Sequence, residues 1–219
     1  MLTNSAAKSN FSSAIPYVTP FLLFAFLTYC GPIFKVPLLI LYPVKTVLVA
    51  ACLIRFRRAY QTEILVRMDW IAALAGILVF AVWISLDGQY PQLDKAASLP
   101  FGHESVYKNP VFLFFRMTGA VLVVPVMEEL FWRSFGQRFL TDFHFLKVPL
   151  GHFSWFSFIA VSLAFGFEHH EWLPGIIAGV AYALVLYRTG NLFSPILSHG
   201  ITNLLLGIYV MVTEKWVFW

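Results

Sequence analysis

Pro125-Val126-Met127-Glu128-Glu129-Leu130-Phe131-Trp132-Arg133 places two carboxylates and a guanidinium directly after a long apolar run. That run, Val111 to Val124, holds one charge, Arg116, near its start. The local sequence asks for lipid or a packed bundle, and a charge there costs a few kcal/mol even on lenient scales. Such residues face a bundle interior and have a job. In a helix Glu129 and Arg133 sit four apart on one face and can pair. Glu128 lies about 100° around the axis, with no local partner.

Hydrophobic residues make up 59% of the 219-residue chain and charged residues 12%, and the mean hydropathy is +0.76. A soluble domain carries about twice that share of charge. The apolar residues fall in long blocks, too long for outer-membrane strands. The expected fold is all-α: a polytopic membrane helical bundle of about seven transmembrane helices (six to eight). The net charge of +4 does not point to nucleic acid, because Arg55, Arg57, Arg58 and Arg67 cluster at a segment end, where they bias orientation. Cys30 and Cys52 lie inside apolar runs and are expected to stay unpaired.

Read in order, the spans are Ile15 to Ile33, Val36 to Ile54, Trp70 to Leu86, Pro110 to Phe139, Val148 to Phe167, Pro174 to Tyr187 and Leu192 to Val212. The whole chain, 1–219, reads as one integral membrane domain. Residues 15–110 form the N-terminal spans and an external loop, and 111–212 form a C-terminal helical core. The first span follows a polar stretch without a small-x-small cleavage site, so it is expected to be retained. Arg55 to Met68 is the most basic connection and is assigned to the cytoplasm, with the N-terminus on the same side. Asp87 to Pro110, rich in turn residues, is the external loop. Strict alternation leaves a tension, since Glu128 and His169 would lie at different depths. Either the fourth helix is long and tilted, or the Gly166 to Pro174 region folds back into the bundle.

Two more polar clusters interrupt the apolar second half. One is Phe165-Gly166-Phe167-Glu168-His169-His170-Glu171, the other His199-Gly200-Ile201-Thr202-Asn203. A helix would aim His199 and Asn203 at the same point. A carboxylate, a histidine, and a second histidine with an amide make a usable hydrolytic set: a base to activate water and fixed donors for an oxyanion. His170 and Glu171 read as interfacial, and His103, His144 and His152 as solvated. Gly175, Gly179 and Ala183 recur every fourth residue, which suits close helix packing.

Glu-Glu-x-x-x-Arg, Phe-x-x-x-His and His-x-x-x-Asn, in this order and within apolar segments, resemble the CAAX prenyl protease family. This is the group of type II CAAX endopeptidases with their bacterial relatives, also called CPBP or glutamic intramembrane proteases. The resemblance covers about Val111 to Val212. It implies an active-site cavity formed by the C-terminal four helices. Glu128 would be the general base, His169 would hold the water, and His199 and Asn203 would form the oxyanion hole. Glu129 and Arg133 would fix the geometry. It further implies no cofactor or metal, a peptide or protein substrate in the bilayer, lipidated or not, and residence in a bacterial inner membrane. Ser134 stands where bacterial members commonly have Gly, and Glu168 fills a position that is often apolar, where it would tune His169 or reach the interface. Alternatives are a zinc protease built on Glu128, His169 and His199, and a non-enzymatic peptide-binding or immunity factor. A proton-coupled transporter is disfavoured by the lack of paired repeats.

Overall fold

The computed structural model describes residues 2–91 and 104–218. Seven helices carry the architecture: α1 (Leu2–Ile33), α2 (Leu38–Phe56), α3 (Trp70–Ser85), α4 (Pro110–Phe139), α5 (Trp155–Phe167), α6 (Trp172–Thr189) and α7 (Phe193–Thr213). There is no strand among the described residues. The protein is a polytopic helical membrane bundle, as its composition requires. His103 and most of the expected external loop lie outside the described residues.

The spans differ from expectation in length. Five helices are long and apolar enough to cross a bilayer; α3 and α5, at 16 and 13 residues, are shorter. The fifth helix starts at Trp155 and not near Val148, because Pro149 and Gly151 (φ +78°) turn the chain first. α1 extends back to Leu2, well before Ile15.

The helices alternate in direction and leave two ends. At one, the connection after α2 meets the α6–α7 turn: Asn191 Nδ2 donates to the Leu65 carbonyl (2.8 Å) and Leu192 N to that of Glu63 (3.0 Å). At the other, Trp172 Nε1 donates to the Pro91 carbonyl (2.9 Å), and Lys215 pairs with Asp87 (3.3 Å). Cys30 and Cys52 are free thiols.

The depth question resolves through length. Thirty α-helical residues would span about 45 Å, more than a bilayer core needs, while the 13 of α5 reach only about 20 Å. The long fourth helix and the short fifth together let Glu128 and His169 line one cavity. α5 and α6 close into a hairpin on glycine. A Cβ on Gly166 would lie 2.2 Å from the Ile176 side chain, and one on Gly175 3.0 Å from Gly166 backbone. The spacing of Gly175, Gly179 and Ala183 thus marks helix packing, as read from the sequence.

Candidate active site

α4 is not a uniform α-helix. It widens into π turns at Gly119–Val123 and Leu130–Gly136, on either side of the Glu128-Glu129 pair. π turns cluster at functional sites because they re-aim side chains. The first has a cause in the sequence. Pro125 has no N–H, so the carbonyls four and five residues back lose a helical donor. One of these, Ala120 O, instead accepts from Asn203 Nδ2 of α7 at 2.8 Å. Gly200 makes this crossing close: a Cβ there would lie 3.0 Å from Val121 O.

His169 is set by a helix end. Its backbone N–H bonds to Gly166 O (3.1 Å), which leaves Phe165 O without its usual helical donor. The ring takes that place, with Nδ1 2.8 Å from Phe165 O. Nδ1 therefore carries the proton, and Nε2 in the neutral ring is the acceptor. The Phe-x-x-x-His spacing thus has a physical reason. The Phe165 ring also packs against those of His169 (5.0 Å), His199 (5.9 Å) and Tyr182 (6.1 Å).

Glu129 and Arg133 are fully buried, with Glu129 Oε2 3.2 Å from Arg133 Nε. The contact is electrostatic and lacks hydrogen-bond geometry, since neither atom has a hydrogen-bond partner among the described residues. Glu129 Oε1 lies 3.1 Å from His199 Nδ1, and the guanidinium lies over the Phe165 ring at 4.9 Å. His199 stacks on Tyr182 (5.0 Å, 18°), whose hydroxyl donates to Thr202 Oγ1 at 2.9 Å. With Nδ1 engaged on Glu129, Nε2 is the free edge of this ring.

A cavity of about 240 Å³ is lined by Glu128, His169, His199 and Asn203 together. Glu129 and Arg133 stand behind it. Glu128 Oε2 is buried with no hydrogen-bond partner among the described residues. Sequence reasoning missed Tyr182, Trp83 and Arg116 in the wall. Arg116 was legible, being the one charge in its run. Tyr182 was masked by the small-residue stripe around it. Glu168 also lines the cavity, held by Trp132 Nε1 at 3.0 Å, so it does not merely reach the interface. Glu171 is buried at the start of α6 and accepts from the Tyr90 hydroxyl, whereas His170 and His152 are exposed. His144 is half-buried beside Asp142 (3.5 Å). No group of three His, Cys, Asp or Glu side chains among the described residues is placed to hold a metal ion.

Residues 110–205 match the family model described as type II CAAX prenyl endopeptidase, Rce1-like. Over that stretch, 96 of the 219 residues, the chain is similar to this family. The match covers α4 and the expected site residues, leaving out α1 to α3. No curated protein and no solved structure matches the chain. The family is one of CAAX-type membrane proteases, hydrolases that act on membrane-associated peptides.

Proposed function

We propose that the protein is an intramembrane endopeptidase that cuts a peptide bond near the C-terminus of a membrane-associated substrate, using water activated by Glu128. The convergence of Glu128, His169, His199 and Asn203 on one cavity carries this reading. His169 Nε2 accepts a hydrogen bond from the water and orients it. Glu128 takes the water's proton as the oxygen attacks the scissile carbonyl carbon. The oxyanion accepts from Asn203 Nδ2, whose second hydrogen is not used by Ala120, and from an N–H at His199 Nε2. Glu129 supports that ring at Nδ1, and Arg133 supports Glu129. The C–N bond then breaks, the amine takes the proton from Glu128, and the new carboxylate leaves. No metal enters the cycle. We place the N-terminus on the cytoplasmic side of a bacterial inner membrane, because the Arg55 to Arg67 connection lies at that end of the bundle. Residues 111–212 act as the catalytic core of a single membrane domain.

The test is cleavage by purified protein in detergent, wild type against Glu128→Gln, with and without a strong chelator. The substrates are C-terminal peptides, prenylated and unprenylated. Cleavage should survive the chelator and fall by about 10²–10⁴-fold or more in Glu128→Gln. Chelator-sensitive cleavage restored by zinc would replace this mechanism with a metal-dependent one. Cleavage of no peptide would favour a binding factor.

A further inference from the structure

The cavity runs from the site toward one end of the bundle, along α4 from Glu128 back to Arg116 and along α7 from His199 on to Leu206. A residue from beyond the helices, Phe218, completes its wall there. α7 stops at Thr213, and Glu214, with a left-handed φ of +57°, turns the chain back. The segment that follows closes into a single 3₁₀ turn, Trp216–Phe218. Trp216 stacks on Tyr107, just before α4 (5.1 Å, 27°). Glu214 pairs with Lys108 (3.1 Å), and Lys215 pairs with Asp87, two residues past α3 (3.3 Å). Phe218 packs against the buried cluster that includes Trp83, Phe165 and Leu206, with its ring edge-on to Tyr209 (6.0 Å). The segment thus reaches from α7 to the start of α4 and the end of α3, and all three helices line the cavity beneath it. Its hold is light. The ion-paired side chains are 30% to 60% exposed, and such pairs contribute little. One turn of 3₁₀ helix adds few bonds of its own. Such a segment opens at far less cost than the packed helices around it.

Resting on the protease reading above, we propose that Glu214–Phe218 is a strap that closes the outer mouth of the cavity and inhibits the enzyme until a substrate segment displaces it. Phe218 stands where an apolar side chain of the substrate would enter, so strap and substrate compete for one place. Closed, the strap keeps bulk water from Glu128. Open, it admits an extended peptide. The closed fraction weakens apparent substrate binding in proportion and leaves the chemical step alone.

The test is the rate at which a water-soluble maleimide labels a cysteine inside the cavity. Ala120→Cys supplies that cysteine in the full-length protein, in nanodiscs, with Cys30 and Cys52 changed to Ser. Labelling needs no turnover, so failure of the strap and failure of the hydrolytic reading are told apart. Trp216 is not part of the cavity wall, so Trp216→Ala loosens the strap without enlarging the cavity. Labelling should rise by about 2- to 10-fold, the worth of one aromatic pair. Lys215→Asp should raise it by about two- to fivefold, and adding Asp87→Lys should bring the rate back by restoring the pair. An unchanged thermal midpoint establishes that each variant folds, and the exposed charge pair carries the test if Trp216→Ala does not. In the cleavage assay, with the native Ala120, the same variants should lower KM by similar factors and leave kcat within about twofold. Labelling indifferent to both Trp216→Ala and Lys215→Asp would overturn the proposal. So would a charge swap that restores nothing, or a change in kcat without one in KM.

Discussion

Two buried acid–arginine clusters hang on α4 within two turns of each other. In one, Glu129 and Arg133 adjoin His199, with Glu128 beside them. In the other, Arg138 meets Glu63, brought in from the connection after α2. The second is saturated. Arg138 Nη2 donates to Glu63 Oε1 (2.8 Å) and to Ser134 Oγ (2.6 Å), while Ser134 donates to the other Glu63 oxygen. The Tyr17 hydroxyl adds a contact of 3.1 Å to Glu63 Oε1. The first is unsaturated: Glu128 Oε2, Glu129 Oε2 and all three Arg133 nitrogens have no hydrogen-bond partner among the described residues. It also borders the cavity, whereas none of the residues of the second cluster lines it. Saturation marks a cluster that holds the fold. Open valence beside a cavity is what the role proposed for Glu128 would require.

The sharpest way to break this contrast is Asn203→Asp. The change keeps the shape and removes both amide donors. If Asn203 serves the oxyanion, turnover per folded molecule should fall by about 10²–10³-fold, the range for losing one such donor. If its task is only to hold Ala120 O, the thermal midpoint should drop while turnover is kept. An effect limited to stability would move Asn203 from the open cluster to the structural set.

Next in size is Arg138→Leu, which leaves the partly buried Glu63 without its cation. Breaking such a pair costs about 3–5 kcal/mol, and the slight exposure of both side chains argues for the low end. Denaturation should register this, while the turnover of molecules that remain folded stays near wild type. A stable variant with little turnover would mean that the second cluster takes part in the chemistry, and the distinction would fail.

The two clusters also differ in how far the sequence revealed them. Glu128, His169, His199 and Asn203 were legible because polar residues in apolar spans stand out, and because a helix turns fixed spacings into shared faces. The bundle was legible from composition. The saturated cluster was not, since Glu63 sits in a basic connection and Arg138 at a helix end, where charges are ordinary. Ser134, noted only as a departure from the family's glycine, proves to be the bridge between them. The π turns were hidden as well: Pro125 was visible, but which carbonyl it would orphan, and who would claim it, depended on the crossing with α7. The length of α5 was overestimated for a similar reason. Hydropathy does not see the turn that Pro149 and Gly151 impose before Trp155.

The smallest expected effect tests the saturated principle outside the membrane spans. Asp69 caps α3, accepting from Ile71 N (3.0 Å), Ala72 N (3.4 Å) and Ser194 Oγ (2.8 Å). Burial alone would raise its pKa, but these hydrogen bonds, with the charge of Arg67, hold it below the usual carboxylate range. A carboxylate depressed in the folded state adds stability that is complete above its unfolded value, about 3.9, and is lost as pH falls through the folded one. Asn caps about as well as Asp but does not titrate. Asp69→Asn should therefore cost no more than about 1 kcal/mol at pH 7, and the difference from wild type should shrink as the pH falls below about 4. Thermal midpoints of both proteins across that range measure it. A gap that widened on acidification would give Asp69 the opposite linkage, and would mean that its hydrogen bonds do not favour the ionised form.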